Sequence, residues 1–352
     1  MILNIVYSSG EAHKSTQLIH QLISQVCKLS GMPVHDYFLV NGDIELGCES
    51  SFPVISSAIV VKKKGVWRYV PSRLTNKIAK LVRANHVKLV VCDGLGVARC
   101  MFPVLKVDSD LKLIVVVHGV VKFKPQDLAN FNNYCERVRL VFVSSSLAKK
   151  MQHCYPVLSR VSHVIANALS PDFSQELAPK IDARYELGLP ADKKLYLVAS
   201  RLSVKKDVST VIRAFAKIVD AEKYLVIMGD GPDLANLEKL SVDLGLVGSV
   251  IWLGWVKDSN RYLKAFDVFV SASISEGFGL SVLEAHVAGL PVICSDIEPH
   301  KEALGENAAY FSVGDKEDCA AKLLVDLRPF TNCSLDVKYQ KFCSSYREIL
   351  SF

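Results

Sequence analysis

Long apolar runs are missing from this sequence of 352 residues. A helix that spans a bilayer needs roughly 20 consecutive apolar residues, and no stretch approaches that length. The first apolar stretch, Ile2 to Tyr7, is too short for a signal peptide and has no basic leader before it. Because half of the residues are hydrophobic, the composition also excludes an intrinsically disordered chain. We therefore expect a globular cytoplasmic protein that is neither secreted nor embedded in a membrane.

Two motifs are missing as well. The ten cysteines include no Cys-x-x-Cys pair, so we expect reduced and mostly buried thiols rather than a metal or redox site. The loop Ser8-Ser9-Gly10-Glu11, which follows the first apolar stretch, is not the Gly-x-Gly-x-x-Gly fingerprint of a dinucleotide site. Because the fingerprint is missing, a nicotinamide-dependent oxidoreductase ranks last among the candidate functions. The loop remains a candidate for binding a phosphate or the acceptor.

The charge is unevenly distributed along the chain, whose net charge is +6. Residues 1–170 hold 21 Lys and Arg against 10 Asp and Glu, whereas the remainder holds 21 against 26. A basic half and an acidic half indicate two units with different partners.

Short apolar, β-branched segments alternate with amphipathic stretches, which is typical of parallel α/β layers. The predicted strands are Ile2–Tyr7, Ala58–Val61, Lys88–Cys92, Lys112–Val117, Leu140–Val143, Val161–Ile165, Leu195–Ala199, Tyr224–Met228, Val250–Trp252, Val268–Ser271 and Pro291–Cys294. The predicted helices include Ser15–Leu29, Leu74–Ala84, Asp207–Val219, Pro232–Leu244 and Leu280–Ala288.

The series of strands and helices restarts after a proline-rich join, Asn167 to Lys194, that carries a short helix at Ile181–Leu187. We therefore predict an α/β protein with two Rossmann-like, doubly wound parallel-sheet domains, residues 1–168 and 169–333, facing a cleft. Doubly wound sheets bind ligands beyond the carboxyl ends of their strands. The candidate residues are accordingly sought in the loops that follow the strands.

The richest of these loops runs from Ser275 through Glu276-Gly277-Phe278-Gly279-Leu280 to Glu284, between a predicted strand and a predicted helix. Glycines let the backbone approach a ligand, and the helix start offers free N–H donors for a phosphate or a sugar hydroxyl. The two glutamates can accept hydrogen bonds from a polyhydroxylated ligand. A structural alternative stays open, because Ser281-x-x-Glu284 also fits a capping box.

Three further loops follow strands. Arg201 and Lys206 lie between a strand and a helix, where two cations can clamp a pyrophosphate or can simply form a solvated basic loop. The turn Met228-Gly229-Asp230-Gly231-Pro232 allows close approach of a ligand, or is an ordinary turn. His118 ends a strongly apolar strand and can donate to a phosphate or sugar, although a structural histidine is equally consistent with the position.

Taken together, these segments resemble the retaining glycosyltransferases of family 4, which have the GT-B fold. The similarity is clear from about Leu195 to Phe311 and concerns only the layout in the amino-terminal half. The family's motifs resemble, in order, Ser200-Arg201-Leu202 through Lys206, Gly229-Asp230-Gly231-Pro232, Leu253-Gly254-Trp255-Val256, Glu276-Gly277-Phe278-Gly279-Leu280-Ser281-Val282-Leu283-Glu284 and Gly289-Leu290-Pro291-Val292-Ile293.

The resemblance implies a role for each matching residue. Glu284 would bind the nucleotide ribose, and Trp255 and Val256 would lie in the segment that holds the base. Glu276 and the backbone from Gly277 and Phe278 through Gly279 to Leu280 would hold the transferred sugar or its phosphates. Arg201 and Lys206 would neutralise the diphosphate leaving group, with Gly229 in the neighbouring turn. His118 would contact the donor sugar, Gly10 would lie near donor and acceptor, and the helix predicted at 334–350 would pack back on the first domain.

The resemblance implies transfer of a hexose with retention of the anomeric configuration. The positive side chains and the helix N-terminus would stabilise the diphosphate as its charge develops, so we expect no metal and no cofactor. The departing phosphate would accept the proton of the attacking hydroxyl on the same face.

A basic stretch in the first half is a separate feature. From Lys62 to Cys92 there is no acidic residue, while Lys62–Lys88 holds nine basic ones with Trp67 and Tyr69 among them. Such a surface suits an anionic membrane and a lipid-linked acceptor, which would place the protein at the inner face of the cytoplasmic membrane. The alternative is a solvated helix packed on the first domain. Nucleic acid is not expected as a partner, because the aromatic residues form no stacking platform.

The resemblance implies a glycosyltransferase that moves a hexose from a nucleotide diphosphate sugar, with uridine as the base because that is commonest in the family. The resemblance and the basic stretch together favour a glycan or lipid-linked glycan of the bacterial envelope as the acceptor, as in lipopolysaccharide synthesis. Two alternatives remain. One is a nucleotide-sugar epimerase of the same fold, and the other is a non-catalytic protein that binds a sugar nucleotide.

Overall fold

The computed structural model of the chain describes residues 1–8, 14–41, 54–57, 72–327 and 335–352. The chain divides into two compact units, one made of residues 1–168 with 340–352 and the other of residues 169–339. Each contains a parallel sheet flanked by helices, so the predicted α/β fold class is confirmed. The predicted strand Ala58–Val61 lies outside the described residues.

The first unit holds a seven-stranded sheet. Its strands are β1 Ile2–Ser8, β2 Val34–Asn41, β3 Val54–Ser57, β4 Leu89–Asp93, β5 Lys112–Val117, β6 Val138–Phe142 and β7 Ser162–Val164. Its described α-helices are α1 Lys14–Leu29, α2 Ser72–Ala84, α3 Gly94–Val107, α4 Pro125–Asn133 and α5 Ser145–Cys154, followed by a 3-10 helix, Pro156–Arg160. All strands are parallel, in the order β3-β2-β1-β4-β5-β6-β7.

The centre of this sheet is buried on both faces. Leu113 to Val117 in β5 and Leu89 to Cys92 in β4 are at most 6% exposed. This explains why they read as continuous apolar runs rather than as alternating patterns. The strand order reverses between β1 and β4, and the carboxyl ends of strands at such a reversal form the usual ligand-binding edge.

The second unit repeats the plan with six parallel strands. They are β8 Lys194–Ala199, β9 Lys223–Met228, β10 Val250–Gly254, β11 Val268–Ser271, β12 Val292–Ser295 and β13 Ala309–Phe311, in the order β10-β9-β8-β11-β12-β13. The described α-helices are α6 Lys180–Glu186, α7 Val208–Phe215, α8 Leu234–Asp243, α9 Leu280–Val287, α10 Glu298–Leu304 and α11 Lys316–Leu324. Three 3-10 helices add to them, Pro171–Glu176, Val204–Lys206 and Ser259–Ala265. Here the order reverses between β8 and β11.

One face of the second sheet is covered by α7 and α11. Tyr196 on β8 is fully buried there, with its ring 5.9 Å from that of Phe215 and its hydroxyl donating to the Leu323 carbonyl at 3.2 Å. A large aromatic ring thus fills the layer between sheet and helices, and its one polar atom has a partner. The last helix, α12 Leu335–Leu350, begins within the residues of the second unit and belongs to the first from residue 340 onwards.

The join between the series of strands belongs to the second unit from Leu169 onwards. Arg184 on α6 is 4% exposed, and its guanidinium donates to the carbonyls of Ala265, Pro190, Ala191 and Lys193 and to Asp267 at 2.8 Å. Because a buried guanidinium must have its donors satisfied, this clamp fixes the join to the edge of the second unit.

Candidate functional site

One of the two predicted cations of the second unit contacts a predicted glutamate where the strand order reverses between β8 and β11. Lys206 ends the 3-10 helix after β8, and Glu276 lies in the loop after β11. Since β8 and β11 are neighbours, their carboxyl ends bring the two loops together, and Lys206 Nζ forms an ion pair with Glu276 Oε1. The side chains keep 25% and 14% of their exposure, so the pair is open to a ligand.

Serine hydroxyls and the main chain hold this ion pair in place. Ser273 is 1% exposed, and its hydroxyl donates to Glu276 Oε1 at 2.8 Å. The Ile274 N–H donates to the Lys205 carbonyl at 2.9 Å, which ties the two loops together through the main chain. Glu276 Oε1 therefore has two donors, Lys206 and Ser273, and Lys206 is held at the sheet edge.

The glycine turn leads from Glu276 into helix α9. Gly279 is the N-cap with φ +96°, and Leu280 is the first helical residue, so Ser281 does not cap the helix and the capping-box alternative for Glu284 is wrong. A Cβ at Gly279 would meet His300 Cδ2 at 3.0 Å and Val282 Cγ2 at 3.2 Å. The position thus requires glycine for both its conformation and its close packing. The free N–H groups at the start of α9 lie in the same loop as Glu276.

His300 supports this turn and carries no motif in the sequence. It is fully buried on α10, and its Nδ1 lies 2.9 Å from the Ser295 carbonyl oxygen. The Ser295 hydroxyl donates to the Ser273 carbonyl at 2.6 Å. Burial lowers the pKa of His300 and Lys206 lowers it further, while Ser295 and Glu276 act in the opposite direction. The imidazole is therefore neutral, and it links β12 to the turn by packing and hydrogen bonding.

Glu284 lies one turn further along α9. The Asn260 amide donates to its Oε1 at 3.1 Å, and burial raises its pKa to about 7 against the weaker, lowering effect of Asn260. Its side chain is half-buried, so one carboxyl oxygen remains for a polar ligand. Asn260 was not predicted, because nothing in its segment marks a site.

The remaining predicted donor residues follow strands of the same sheet. Arg201 is exposed in the same loop as Lys206, and Trp255 and Val256 follow β10 with Trp255 44% exposed. Gly277, Phe278 and Leu280 lie in the glycine turn, with Phe278 4% exposed.

Gly229 has a packing role. A Cβ there would meet the Ser200 carbonyl oxygen at 1.9 Å, and at Gly231 it would meet the Leu202 carbonyl oxygen at 2.1 Å. The Leu202 N–H donates to the Asp230 carbonyl at 2.9 Å. The turn after β9 therefore requires glycine because the main chain after β8 lies against it, whether or not a ligand also touches it.

A second polar group lies at the sheet reversal of the first unit, where His118 was predicted. His118 Nε2 lies 3.5 Å from Oδ1 of Asp93, the last residue of β4, and His20 Nε2 on α1 lies 4.0 Å from the same oxygen. Asp93 Oδ2 accepts from the Tyr7 N–H at 3.0 Å. Burial raises the pKa of Asp93 to about 7 and lowers that of His118 to about 4. Asp93 and His20 were missed, because each directly flanks or lies within an ordinary apolar pattern. Gly10, predicted nearby, lies outside the described residues.

Among the described residues, only this group has metal-ligand types with donor atoms within 4.8 Å of one another. Tetrahedral zinc, with ligands at about 2.1 Å, needs separations of about 3.4 Å. His118 Nε2, at 3.5 Å from Asp93 Oδ1, is close to this separation, whereas His20 Nε2, at 4.0 Å, is farther than it.

The chain contains an Asp-x-Asp sequence, whose two carboxylates were missed as a candidate metal site. Asp108-Ser109-Asp110 precedes β5 and so lies at the opposite edge of the sheet from Asp93. Asp108 Oδ1 accepts from the Asp110 and Leu111 N–H groups, and Asp110 pairs with Lys88 at 3.1 Å. These contacts make it a turn rather than a site.

Most of the described part of the basic stretch is helix α2. Its apolar residues Ile78 and Val82 are buried, while Lys77, Lys80 and Arg83 are exposed. The apolar stripe therefore packs inside the first unit, and only the basic face is turned outward. Residues 62–71 lie outside the described part of the chain.

No helix among the described residues has the length and apolar character needed to cross a membrane. The eight cysteines within the described residues are all free.

Comparison with known proteins places these features in context. The model of the family "Glycosyl transferases group 1" matches residues 180–325. The lipopolysaccharide core biosynthesis glycosyltransferase LpsE of Rhizobium meliloti is 36% identical over 139 residues, which are 39% of this chain and 40% of LpsE. The aligned part thus spans less than half the length of this curated relative.

Solved structures match almost the whole chain. A glycosyltransferase from Rickettsia africae has a TM-score of 0.79 at 20% identity, covering 99% of this chain and 98% of its own. HepE of Anabaena, solved in complex with UDP and glucose, has a TM-score of 0.70 at 18% identity, covering 99% and 94%. The chain therefore has the GT-B fold of these glycosyltransferases, and its residues 180–325 are similar to the group 1 glycosyl transferases.

Proposed function

We propose that the protein is a retaining, metal-independent glycosyltransferase of family 4. It transfers a hexose from a nucleotide diphosphate sugar, with UDP as the carrier, to a hydroxyl of a glycan or lipid-linked glycan of the bacterial envelope. The observation that carries the proposal is the Lys206–Glu276 ion pair at the strand reversal of the second unit, beside the free start of α9. The matched family model covers this site, and LpsE by its name acts in lipopolysaccharide core synthesis.

The positive groups of this site stabilise the negative charge that develops on the leaving diphosphate. Breaking the anomeric C–O bond leaves a nucleoside diphosphate with additional negative charge. Lys206, already held at the sheet edge by Glu276, together with Arg201 and the N–H groups of α9, stabilises that charge where it develops. Preorganised protein donors supply the stabilisation that a metal ion would otherwise provide.

The two carboxylates have different tasks. Glu276 pairs with Lys206 and accepts from the Ser273 hydroxyl, so it positions Lys206 and accepts from sugar hydroxyls. Glu284, whose pKa burial raises to about 7, binds the ribose hydroxyls while Asn260 occupies its other oxygen. HepE, solved with UDP and glucose, supports a uridine nucleotide as the ligand of this fold. A membrane-associated acceptor is supported by the outward basic face of α2 alone.

The test is a thermal-shift panel with UDP-, GDP- and ADP-linked hexoses. A selective rise of the midpoint temperature is expected for a UDP sugar, because a ligand that binds only the folded state stabilises it. Glu276→Ala and Glu284→Ala should remove that rise, while Glu238→Ala, an exposed glutamate on α8, should keep it. No shift with any nucleotide sugar would reject the proposal, and donor epimerisation without transfer would favour the epimerase.

A further inference from the structure

Asn260 and Glu284 form a polar pair within the second unit. Asn260 lies in the 3-10 helix Ser259–Ala265 before β11, and Glu284 lies on α9 after it. The Asn260 amide donates to Glu284 Oε1 at 3.1 Å, across 24 residues of chain. Because a carboxylate oxygen only accepts, Nδ2 of the amide must face Glu284, and Asn260 Oδ1 is directed away from Oε1. This hydrogen bond leaves one oxygen free on each side chain.

Both free oxygens are open to a ligand. Glu284 Oε2 and Asn260 Oδ1 have no hydrogen-bond partner among the described residues, and neither is one of the buried polar atoms that lack a partner. Solvent therefore reaches both atoms, although the two side chains are half-buried. Each free oxygen is bonded to the same carbon as the atom that forms the hydrogen bond, so the two acceptors flank that bond. Two neighbouring acceptors match the two O–H donors of a vicinal diol.

Main-chain contacts hold the Asn260 segment in place. Asp258, which precedes the 3-10 helix, has φ +50°, a left-handed conformation that turns the chain sharply. The Arg261 N–H donates to the Asp258 carbonyl at 2.9 Å, and the Arg261 carbonyl accepts from the Ala178 N–H at 2.8 Å. The Arg261 guanidinium also pairs with Glu186 of α6 at 2.9 Å. The Asn260 amide is therefore oriented towards α9 before any ligand binds.

The hydrogen bond from Asn260 also favours the ionised form of Glu284. Burial raises the pKa of Glu284 to about 7, and the Asn260 amide acts in the opposite direction. No charged side chain among the described residues is a cause of this pKa shift. An ionised carboxylate is a stronger acceptor for a hydroxyl than a protonated one. Without the amide, Glu284 would keep its proton to a higher pH and would bind a hydroxyl less well.

We propose that Asn260 and Glu284 together bind the two vicinal hydroxyls of the nucleotide ribose, each through the oxygen that their mutual hydrogen bond leaves free. The inference rests on the proposed function and adds a second residue to its ribose site. Asn260 Oδ1 accepts from one hydroxyl, and the Asn260 amide presents Glu284 Oε2 to the other. A nucleotide that lacks either hydroxyl leaves one of these oxygens without its partner and is bound more weakly.

The experiment measures the binding of UDP, 2′-deoxy-UDP and 3′-deoxy-UDP by isothermal titration calorimetry at about pH 8, above the pKa of Glu284. Wild type should bind each deoxy nucleotide about 3- to 100-fold more weakly than UDP. Asn260→Ala should bind UDP about 10-fold more weakly than wild type does. It should also no longer distinguish UDP from one of the two deoxy nucleotides, because the hydroxyl that this nucleotide lacks has lost its acceptor.

Asn236→Ala is the matched control. Asn236 is an exposed asparagine on α8 whose amide likewise donates to a carboxylate, that of Asp233 at 3.0 Å. Its substitution should leave all three affinities within about twofold of wild type, as surface substitutions have small effects.

The pH dependence of binding separates this role from a structural one. Binding of UDP-glucose, whose diphosphate does not titrate near neutral pH, should strengthen as the pH rises through about 7, because Glu284 then loses its proton. In Asn260→Ala the midpoint of this rise should move to a higher pH, since the amide no longer favours the ionised form. In Asn260→Asp, which keeps the size of the side chain, the like charge beside Glu284 should move the midpoint further.

Three results would each overturn the assignment of Asn260 while leaving the proposed function intact. They are wild-type UDP affinity in Asn260→Ala, undiminished discrimination against both deoxy nucleotides, and an unmoved pH midpoint. Thermal unfolding followed by circular dichroism checks that each variant is folded, and Asn260→Asp carries the test if Asn260→Ala is not. No binding of UDP or UDP-glucose by wild type would overturn the proposed function together with this inference.

Discussion

Replacing Lys206 by alanine tests the central charge of the proposed donor site. The ion pair with Glu276 is partly exposed, with 25% and 14% of the two side chains accessible. Solvent screens such a pair, so its loss should change the free energy of unfolding by at most about 1 kcal/mol. Removing one preorganised donor from a developing negative charge, by contrast, raises a barrier by about 2.7–4 kcal/mol. The variant should therefore be folded but slow.

The expected result is a fall in the transfer rate of about 100- to 1,000-fold with a nearly unchanged melting temperature. The assay is UDP release from a UDP sugar, alongside thermal unfolding followed by circular dichroism. Lys205→Ala is the matched control, because Lys205 is the exposed neighbour whose main-chain carbonyl, and not its side chain, holds Ile274. It should retain the wild-type rate within about twofold, as surface substitutions have small effects.

Two outcomes would refute this reasoning. If Lys206→Ala transfers at the wild-type rate, the cation does not stabilise the leaving group. If Lys205→Ala is equally slow, the effect belongs to the general charge of the loop and not to the geometry of the ion pair.

Three further predictions concern stability. Gly231→Ala should lower the melting temperature, because the added Cβ would meet the Leu202 carbonyl oxygen at 2.1 Å. Gly119→Ala should leave the melting temperature unchanged, because nothing lies within 4 Å of a Cβ there. Equal melting temperatures of the two variants would contradict the packing argument. Arg184→Met should cost about 1–3 kcal/mol in urea unfolding, because the main-chain carbonyls that Arg184 binds lose their donor while Asp267 keeps Lys180 and the Leu195 N–H. A loss below about 1 kcal/mol would show that the join is not clamped. Asp93 keeps its proton up to about pH 7 when folded but only to about pH 4 when unfolded, so its ionisation destabilises the fold as the pH rises between these values. Relative to wild type, Asp93→Asn should therefore gain stability from pH 4 to 7, by up to about 4 kcal/mol, and denaturant titrations that show a constant difference would contradict the shifted pKa.

Hydrophobic pattern alone determined the fold class. Buried parallel strands such as β5 read as continuous apolar runs, because both faces of the sheet are covered. The pattern failed where a strand or helix carries polar or helix-breaking residues. Strand β2 contains Asp36, which is buried because Asn4 and Ser24 donate to it, and helix α3 contains Pro103 and begins at Gly94. No local rule signals that such residues are satisfied by distant partners.

The sequence also determined the candidate loops of the second unit, since Arg201, Lys206, Glu276 and Glu284 each follow a recognisable strand or open a recognisable helix. Only the tertiary structure decided which of them meet. The neighbouring positions of β8 and β11 pair Lys206 with Glu276 across 70 residues of chain. The same kind of strand reversal joins Asp93 to His118 and His20, and this depends on strand order, which periodicity within a segment does not encode. Sequence thus supplies the residue types at strand ends, and the sheet order decides which of them form one site.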